Sequence, residues 1–470
     1  MRQRAGEVVV GLDVGTTAVK AVAFAVGSSW RHASVREYPL LEPAPGWRTQ
    51  DPDVVLAATW AALRDCVARV GGAPVVAVSV SAAMHGLIGL DGDHRPLTPL
   101  VTWADARSGE ESQYLHASGQ AAALHAGTGT PVHPMSPLTK LMWFSRHEPE
   151  VCARVRWWVG LKDYLLLALT GTLATELSSA SGTGLLDLDR RGWHRDAVAL
   201  AGVTTDQLPT ILATTAVLPL GAAAGSATGL PVGTPVVVGA ADGPLGNLGT
   251  GAMAPGVAGL SLGTSGALRM VVPQPVLDSA GGLFCYALTD DAWVVGGAVS
   301  NGGAVVRWAG EVFGRDLRTE GGPPPDAELL ELARRVPAGS DGLVMRPYLL
   351  PERAPVWDPH LTGAFLGIRH SHTRGHFVRA AVEGVAGQLA AILRQLDDVA
   401  PVTSVRATGG AMRSALWREV LADALGRPLQ VTGEAEGSAL GAAALGLFAI
   451  GRAPSLPAGA RLLLDLSDAA

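Results

Sequence analysis

We expect a duplicated α/β architecture with a cleft between its two halves, and three features of the sequence predict it. The 470 residues exceed what one hydrophobic core normally organises, so two or three domains are expected. Strand-like and helix-like hydrophobic patterns alternate along the chain. A hairpin pattern at residues 11–17, in which glycine and hydroxyl residues separate two apolar strands, returns at residues 261–266. We place the boundary near residue 246, between a first domain of residues 1–246 and a second of residues 247–470.

In the first half, "EVVVGLDV" and "AVKAVAFAV" are apolar runs that predict two strands joined by a glycine turn. The helical spacing of "DPDVVLAATWAALRDCVARV" predicts a helix with Asp51 as its cap and Pro52 in its first turn. The β-branched "PVVAVSVSAAMHGLIGLD" predicts a buried strand followed by a turn at residues 84–86. The segments "SPLTKLMWFSRHEPEV" and "LKDYLLLALTG" predict helices.

The second half repeats this organisation. "TPVVVGAADGPLGNLGTGA" is typical of a strand, a glycine turn and the start of a helix, and "GVAGLSLGTSGALRMVV" is typical of a hairpin. A long helix is predicted over "HFVRAAVEGVAGQLAAILRQLDDV", and a strand followed by a helix over "VTSVRATGGAMRSALWREVLADALG". The last predicted element is an Ala/Gly-rich helix from Ser438.

The composition is that of an ordinary globular protein, with 48% hydrophobic residues, 17% charged residues and a net charge of −6. No cluster of Lys and Arg forms a basic stripe, which argues against nucleic acid or an anionic membrane as a partner. No apolar run is long enough to span a bilayer, and the N-terminus turns polar too soon for a signal peptide. The scattered cysteines Cys66, Cys152 and Cys285 suit a reducing cytoplasm. The oligomeric state is left open, a homodimer included.

Lysine and asparagine are rare in this chain. Only three of the 36 basic residues are lysine (Lys20, Lys140 and Lys162), and Asn247 and Asn301 are the two asparagines. The abundance of alanine, glycine and arginine indicates mutational pressure that turns generic surface lysine into arginine. A lysine that persists is a candidate for a specific role, because arginine differs in shape, hydration and donor geometry. Chance survival is the alternative for each residue taken alone.

The first hairpin carries residues suited to phosphate binding, namely Asp13, Gly15, Thr16 and Thr17. Glycine permits a tight turn and close approach of the backbone, and backbone N–H groups with two hydroxyls can cradle phosphate oxygens. A carboxylate here would repel phosphate unless a cation lies between them, so we interpret Asp13 as a Mg²⁺ ligand, direct or through water. The alternative is an ordinary hairpin turn with a surface aspartate.

Asp242 follows an apolar strand and precedes glycines at the predicted start of a helix. A carboxylate at the carboxyl end of a strand faces the cleft of an α/β sheet, where it could accept a proton from a substrate hydroxyl. The alternative is an aspartate that only caps the helix, which is common at strand-to-helix turns.

Two glycine-containing segments of the second half suit a nucleotide. In "SLGTSGALRM", Thr264 and Ser265 between Gly263 and Gly266 predict a second anion-binding turn, the alternative being a tight hairpin. In "ATGGAMRSALWREV", Gly409 and Gly410 open a helix after a strand, where a flat base and ribose could lie on bare backbone. The alternative there is an ordinary glycine turn.

Two further segments, "SAAMHGLIGLD" and "VTWADARS", combine an aromatic wall with polar groups that could form hydrogen bonds in pairs. A polyhydroxylated and perhaps acidic ligand requires such a set. We therefore predict that the substrate is bound by Met84, His85, Trp103, Asp105 and Arg107. A structural histidine with satisfied hydrogen bonds is the alternative for His85.

Taken together, these motifs resemble the FGGY family of carbohydrate kinases, within the larger sugar kinase–Hsp70–actin group. The resemblance covers nearly the whole chain and includes "GLDVGTTAVKAVAF", "MSPLTKLMWF", "GLKDYLLLALTG", "LGIRHSHTRGHFVRAAVEGVAGQL" and "ATGGAMRSALWREVLADALGRPL". All three lysines and both asparagines lie in or beside the matching stretches. The resemblance implies two actin-like, ribonuclease H-like domains with the active site in the cleft between them.

The resemblance also implies ATP-dependent phosphorylation of a sugar-type hydroxyl. By position, Asp242 would be the general base, and Asp13 with Asp242 would hold Mg²⁺. The residues that would contact the phosphates or the nucleoside are Gly15, Thr16, Thr17, Gly263, Thr264, Gly409, Gly410 and Arg413. Such catalysis depends mostly on in-line positioning and charge neutralisation.

Within the family, "MHGL", "TWADARS" and "HPMSPLTKL" are most similar to gluconate kinases. This implies transfer of the γ-phosphate of ATP to D-gluconate, giving 6-phosphogluconate. The alternatives are a xylulose kinase or another pentulose or polyol kinase of the same family, and a non-catalytic sugar or nucleotide sensor on the same scaffold. Xylulose kinases share Met-His-Gly but usually carry an Asn-Asp-Gly-Arg-type sequence where this chain has residues 104–107.

Overall fold

The computed structural model describes residues 6–317, 325–433 and 437–464. In that part of the chain no helix combines the length and the apolar character needed to cross a bilayer. Its 22 strands are β1 Val8–Val14, β2 Ala18–Ala25, β3 Arg31–Glu37, β4 Thr49–Gln50, β5 Val75–Ala82, β6 Ile88–Leu90, β7 Leu100–Val101, β8 Trp157–Val159, β9 Ala174–Glu176, β10 Leu186–Asp187, β11 Gly192–Trp193, β12 Thr210–Leu212, β13 Val217–Pro219, β14 Pro235–Ala241, β15 Val257–Leu262, β16 Gly266–Val272, β17 Phe284–Thr289, β18 Ala292–Val299, β19 Val344–Arg346, β20 Ala364–Leu366, β21 Ser404–Thr408 and β22 Leu429–Val431.

The α-helices of the described residues alternate with these strands. They are α1 Pro52–Ala68, α2 Gly109–Ala117, α3 Gln120–Thr128, α4 Pro137–His147, α5 Pro149–Cys152, α6 Leu161–Thr170, α7 Leu177–Ser181, α8 Arg195–Leu200, α9 Ala222–Thr228, α10 Asp242–Gly249, α11 Ala304–Phe313, α12 Asp326–Arg334, α13 Arg374–Val399, α14 Ala415–Leu425, α15 Gly437–Ala449 and α16 Leu456–Leu463. A 3₁₀ turn, Gly410–Arg413, separates β21 from α14.

Two six-stranded sheets form the framework, and their strand orders confirm the duplicated architecture. The first sheet has the order β13-β14-β5-β1-β2-β3, and the second has the order β17-β18-β16-β15-β21-β22. In the first sheet β1 pairs antiparallel with β2 and parallel with β5. In the second sheet β15 pairs antiparallel with β16 and parallel with β21. The repeated hairpin therefore occupies the same central place in both sheets.

The predicted helices and strands are present, with one difference in the first half. Asp51 caps α1, and its Oδ1 accepts hydrogen bonds from the backbone N–H groups of Asp53 and Val54. The segment predicted as a single helix from residue 136 divides into α4 and α5 around Glu148. The reason is Pro149, which cannot donate a hydrogen bond to the preceding turn and instead begins a new helix.

The last long helix returns to the first sheet. Helix α15 packs on β1 so closely that a Cβ atom on Gly11 would lie 2.0 Å from the carbonyl oxygen of Ala439. Glycine is required at this position because any side chain would displace the helix. Helix α16 also contacts the first half, because the carbonyl of Leu462 accepts a hydrogen bond from the backbone N–H of Gly27. The boundary near residue 246 lies inside α10, and the division at that residue stays a prediction.

Candidate active site

A cavity of about 250 Å³ lies between the two halves of the chain, and both halves line it. The first half contributes side chains from the β1–β2 turn, from the loops that follow β5 and β7, and from the start of α10. The second half contributes residues of β15 to β18 and of a long loop after β19. The lining residues are Thr16, Met84, His85, Trp103, Met135, Asp242, Gly243, Ser261, Ser265, Gly266, Ala267, Arg269, Phe284, Tyr286, Ala298, Arg353 and Trp357.

Asp242 is the first residue of α10, directly after β14. Its Oδ1 accepts hydrogen bonds from the backbone N–H groups of Gly243 (2.8 Å) and Met84 (3.4 Å). Among the described residues, no group donates a hydrogen bond to Oδ2. Burial raises the pKa of Asp242, whereas the positive charge of Arg269 and the backbone donors lower it. A carboxylate held by one oxygen and open at the other can accept a proton from a hydroxyl in the cavity.

Asp13 lies near the end of β1, and its Oδ1 accepts a 2.9 Å hydrogen bond from the hydroxyl of Ser81 on β5. Burial and the negative charge of Asp242 raise the pKa of Asp13 to about 6, although Ser81 and Lys20 act in the opposite direction. The structure thus brings together the two predicted metal ligands as carboxylates that repel each other. A cation between them would relieve this repulsion.

The carboxylates of Asp13 and Asp242 suit a cation that also binds phosphate. Within the described ranges, no group of three or more His, Cys, Asp or Glu side chains could hold a metal ion. The remaining ligands would therefore be water or substrate oxygens. Mg²⁺ is bound in this way, through one or two carboxylates with waters and phosphate oxygens completing its shell.

The β1–β2 turn contains Gly15, Thr16 and Thr17, and of these three Thr16 lines the cavity. The Thr16 hydroxyl accepts a 2.8 Å hydrogen bond from Nε1 of Trp103, which leaves its own proton available to a ligand. Tyr38 fixes the turn, because its hydroxyl donates to the carbonyl of Gly15 and its backbone N–H donates to the carbonyl of Thr17. The side chain of Thr17 is exposed.

The β15–β16 turn contains Gly263, Thr264 and Ser265. Ser265 lines the same cavity as Thr16, so the two predicted phosphate turns meet there. The carbonyl of Thr264 accepts backbone hydrogen bonds from Gly302 (3.2 Å) and Ala304 (3.0 Å) at the start of α11. Gly263 and Thr264 are exposed, and their backbone is held by α11.

Gly409 places the nucleotide motif beside the second turn. It has φ 105°, and a Cβ atom would lie 2.4 Å from the carbonyl oxygen of Leu262, the last residue before that turn. Only glycine allows the two backbones to approach so closely. Beyond Gly409, Gly410 and Arg413 border a separate groove of about 420 Å³, whose other wall is α12. A flat group could lie in this groove with its phosphates directed towards the turn.

Met84 and His85 follow β5, and both line the cavity. Nδ1 of His85 lies 2.7 Å from the carbonyl oxygen of Gly182. A carbonyl has no proton, so Nδ1 carries the hydrogen and Nε2 is an acceptor. Burial lowers the pKa of His85 to about 3, which keeps the ring neutral. A neutral imidazole with an acceptor nitrogen can orient a sugar hydroxyl.

Lys140 lies on α4 and holds the backbone of these loops together. Its Nζ donates to the carbonyls of His85 (2.6 Å), Thr102 (2.7 Å) and Val101 (3.5 Å). The three acceptors match the three protons of an ammonium group. Burial lowers the pKa of Lys140 to about 7. Through this residue, α4 fixes the two loops that carry His85 and Trp103.

Trp103 closes the cavity from the first half. The guanidinium carbon of Arg353, from the second half, lies 4.8 Å from the centroid of a Trp103 ring. This cation–π contact joins the two halves above the cavity. Trp103 therefore lines the cavity between the two halves, and its indole N–H is occupied by Thr16.

Asp105 and Arg107 require a correction, because the structure does not bring them into the cavity. Nε and Nη2 of Arg107 donate to the two carboxylate oxygens of Asp105 at 2.8 and 2.9 Å, and Oδ2 also accepts from the backbone N–H of Arg48. The guanidinium lies 3.8 Å from a ring centroid of Trp47 and 5.1 Å from one of Trp143. Each charge is therefore satisfied by the other, in a buried pair that supports the loop after Trp103.

Sequence reasoning missed the cationic residues that do line the cavity, Arg269 and Arg353. Arg269 lies within the apolar strand β16, and a charge in such a strand is the same signal that identifies Asp13 in β1. Arg353 lies in an irregular loop, and no local pattern indicates it. Tyr286, on β17, and Trp357 complete the aromatic part of the wall.

The geometry combines the parts that phosphoryl transfer needs. The carboxylate of Asp242 faces the cavity, two turns with hydroxyl groups meet there, and the carboxylates of Asp13 and Asp242 can share a cation with a phosphate. The groove beside Gly409 can hold the remainder of the phosphoryl donor. Because both halves line the cavity, a closure of the two halves over bound substrates would exclude water from the transferred group.

Comparison with known proteins gives the same answer. Residues 8–249 match the N-terminal domain of the FGGY family of carbohydrate kinases, and residues 258–450 match its C-terminal domain. A gluconokinase from Bacillus subtilis is 36% identical over 96% of this chain and 89% of its own length. Crystal structures from Lactobacillus acidophilus, one of a gluconate kinase and one of a ligand-bound xylulose kinase, superpose with TM-scores of 0.91 and 0.92, each at 32% identity over 97% of this chain and 92% of that chain.

The two-sheet framework is accordingly the actin-like fold, with the nucleotide-side motifs in the second half and the cavity between the halves. Both matched domains together cover most of the described residues. We conclude that this chain belongs to the FGGY family of carbohydrate kinases and is a phosphotransferase with an alcohol acceptor.

Proposed function

We propose that the protein transfers the γ-phosphate of ATP to D-gluconate, forming 6-phosphogluconate, with Mg²⁺ as the metal. The observation that carries this proposal is the carboxylate of Asp242, which is bonded through Oδ1 and open at Oδ2 in a cavity lined by both halves. The choice of gluconate rests on the similarity to gluconokinase over nearly the full chain, and on the positive charge of the cavity wall.

Asp242 takes the proton of the attacking hydroxyl. Desolvation raises the pKa of the carboxyl group and so makes the ionised form a stronger base than an exposed aspartate. The hydrogen bonds from Gly243 and Met84 fix the side chain, so Oδ2 points to one position. The hydroxyl oxygen placed there is ready for in-line attack.

Asp13 and Asp242 would hold Mg²⁺, which neutralises the negative charge of the phosphates when bound. The β- and γ-phosphate oxygens would be bound by the backbone of the two turns and by Thr16, Thr17 and Thr264, of which Thr16 lines the cavity. Gly409, Gly410 and Arg413 would contact the nucleoside. Met84, His85 and Trp103 would orient the sugar acid, His85 as an acceptor through Nε2.

The substrate is tested by turnover with D-gluconate, D-xylulose, L-ribulose and glycerol, each with Mg-ATP, by following ADP release. We expect gluconate to have the highest kcat/KM, and phosphorus NMR of the product to place the phosphate on the C6 oxygen. Xylulose kinase is the second candidate, because the crystal structure of the xylulose kinase from Lactobacillus acidophilus superposes equally well. Strong turnover of D-xylulose without turnover of gluconate would overturn the proposal in favour of that candidate.

We expect Asp13→Asn to abolish most activity and yet stabilise the ligand-free protein at neutral pH. The folded-state pKa of Asp13 is about 6, above the usual 3.8, so folding favours the protonated carboxyl. The stability that protonated Asp13 provides is lost as pH rises from about 3.8 to about 6, whereas metal binding needs the ionised form and weakens below about pH 6. An asparagine removes the charge at all pH values.

Thermal unfolding between about pH 4 and pH 8, with and without Mg-ATP, measures this effect. We expect the variant to lose both the pH-dependent step and the stabilisation by Mg-ATP. Asp423→Asn, an exposed substitution on α14, is the control and should alter neither. If Asp13→Asn responds to Mg-ATP as the wild type does, Asp13 is not a metal ligand.

A further inference from the structure

Two arginines face the cavity that the sugar acid would occupy, and neither forms a salt bridge with a carboxylate in the part of the chain that the structure describes. Arg269 comes from β16 and Arg353 from the loop after β19. Nε of Arg269 and the hydroxyl of Tyr286 are buried, and neither has a hydrogen-bond partner within the described residues. Buried donors without partners are unfavourable, so a polar ligand in this cavity would satisfy them.

The guanidinium of Arg353 is fixed by hydrogen bonds from two of its three nitrogens. Its Nε donates to the hydroxyl of Ser300 (3.2 Å), its Nη2 donates to the carbonyl of Val299 (3.0 Å), and its guanidinium lies over Trp103. No hydrogen bond from Nη1 is found among the described residues. A planar guanidinium fixed by its neighbours loses little entropy when it binds a ligand, and it suits the geometry of a carboxylate.

The acidic residue next to Arg353 does not neutralise it through a hydrogen bond. Oε1 of Glu352 accepts from the backbone N–H groups of Ser300 and Arg353, and Oε2 accepts from Nδ2 of Asn301. Asn301 also accepts from the backbone of Leu349 and Leu350. Glu352 is fully buried and does not line the cavity. This network therefore positions the loop, and it leaves the guanidinium of Arg353 able to bind a ligand in the cavity.

The charges along the cavity differ from one region to another. Asp242 is the negative charge that most raises the pKa of Arg269, whereas Glu352 has that role for Arg353. Arg269 is thus the arginine more closely associated with the base. An anionic group in the cavity is repelled by Asp242 and attracted by Arg353.

We propose that Arg353, supported by Arg269, is the residue that binds the carboxylate of the sugar acid and so determines specificity for an acidic substrate. This inference rests on the proposed function. Binding of the carboxylate at Arg353 keeps C1 of the substrate away from Asp242 and presents the hydroxyl at the other end of the chain to the base. Neutral sugars of the same length lack this anchor.

The test compares the dissociation constants of D-gluconate and D-gluconamide by calorimetry, because the amide keeps the shape and removes the charge. We expect the wild type to bind gluconate about 10- to 100-fold more tightly than the amide. In Arg353→Met this ratio should fall towards one through weaker binding of gluconate alone. Arg353→Lys, which keeps the charge but not the planar fork, should have an intermediate ratio.

Arg346→Met removes an exposed arginine close in sequence to the same loop and is the matched control, for which the ratio should stay at the wild-type value. If Arg353→Met does not fold, the ratio in Arg353→Lys decides. A ratio that is unchanged in the folded Arg353 variants overturns the inference. Turnover of gluconate by the wild type is measured separately, so a failure of the proposed function and a failure of the carboxylate anchor are recorded by different experiments.

Discussion

Asp242→Asn is expected to lower kcat about 10²- to 10⁴-fold while leaving the binding of gluconate and of metal-free ATP within a few fold of wild type. The amide oxygen can keep the hydrogen bonds from the N–H groups of Gly243 and Met84, so the position of the side chain is preserved. The amide nitrogen then replaces the open Oδ2 and cannot accept a proton. Single-turnover kinetics and calorimetric binding measure the two quantities independently.

The control for this variant addresses the alternative that Asp242 only begins a helix. Asp196 lies in the first turn of α8, is exposed, and does not line the cavity. Asp196→Asn should therefore leave kcat unchanged and alter stability by less than about 1 kcal/mol. If the two variants behave alike, with kcat retained in both, Asp242 is a helix-capping residue and not the base.

Lys140→Met is expected to give the largest loss of stability, about 1 to 3 kcal/mol, together with a higher KM for the sugar acid. The substitution leaves the carbonyl of His85 without its only hydrogen-bond donor among the described residues, and an unsatisfied group of this kind costs about 1 to 3 kcal/mol. The carbonyls of Val101 and Thr102 also lose a contact, but they keep the backbone N–H groups of Leu87 and Asp105 as donors. The loops that carry His85 and Trp103 then lose their common support. Urea unfolding and steady-state kinetics of the same preparation measure both effects.

Lys20→Met is the matched control, because it makes the same substitution at an exposed lysine of β2. A surface change of this kind normally alters stability by no more than about 0.5 kcal/mol. Equal unfolding midpoints for the Lys140 and Lys20 variants would show that the three carbonyl contacts of Lys140 do not stabilise the fold.

Much of the fold can be predicted from the sequence, because the signals are local. The repeated glycine–hydroxyl hairpin predicts the duplication, and β1–β2 and β15–β16 occupy equivalent places in the two sheets. Helix ends follow the same logic, as Asp51 shows by capping α1. The division of the segment after Ser136 into two helices was missed, although Pro149 is a local signal that was present.

The candidate site can be predicted only in part. Asp13, Thr16, His85 and Asp242 are found at the ends of strands or in tight turns, and the parallel strands β1, β5 and β14 bring those ends together. Asp105 and Arg107 have the right chemistry for a ligand, but they bind each other. Residues two apart in a loop can pair, and the composition of a motif does not reveal whether they do.

The rarity of lysine pointed to residues of importance but not to their roles. Lys140 and Lys162 are buried, Lys140 against backbone carbonyls and Lys162 in an ion pair with Glu176, whereas Lys20 is exposed. A compact ammonium directs its three donors to carbonyls around a single nitrogen, whereas the donors of a guanidinium are spread over a rigid plane. Composition can identify such a residue, while the acceptors around it come from distant parts of the chain.

The sequence by itself determined the duplicated α/β fold and the family, because both depend on short patterns in which neighbouring residues specify the local backbone. Only the tertiary structure decided which arginines face the cavity. Arg269 and Arg353 are 84 positions apart, and Arg353 meets Trp103 from the other half of the chain. Charges separated so widely become neighbours only when two sheets close around one cavity, and no local pattern records that closure.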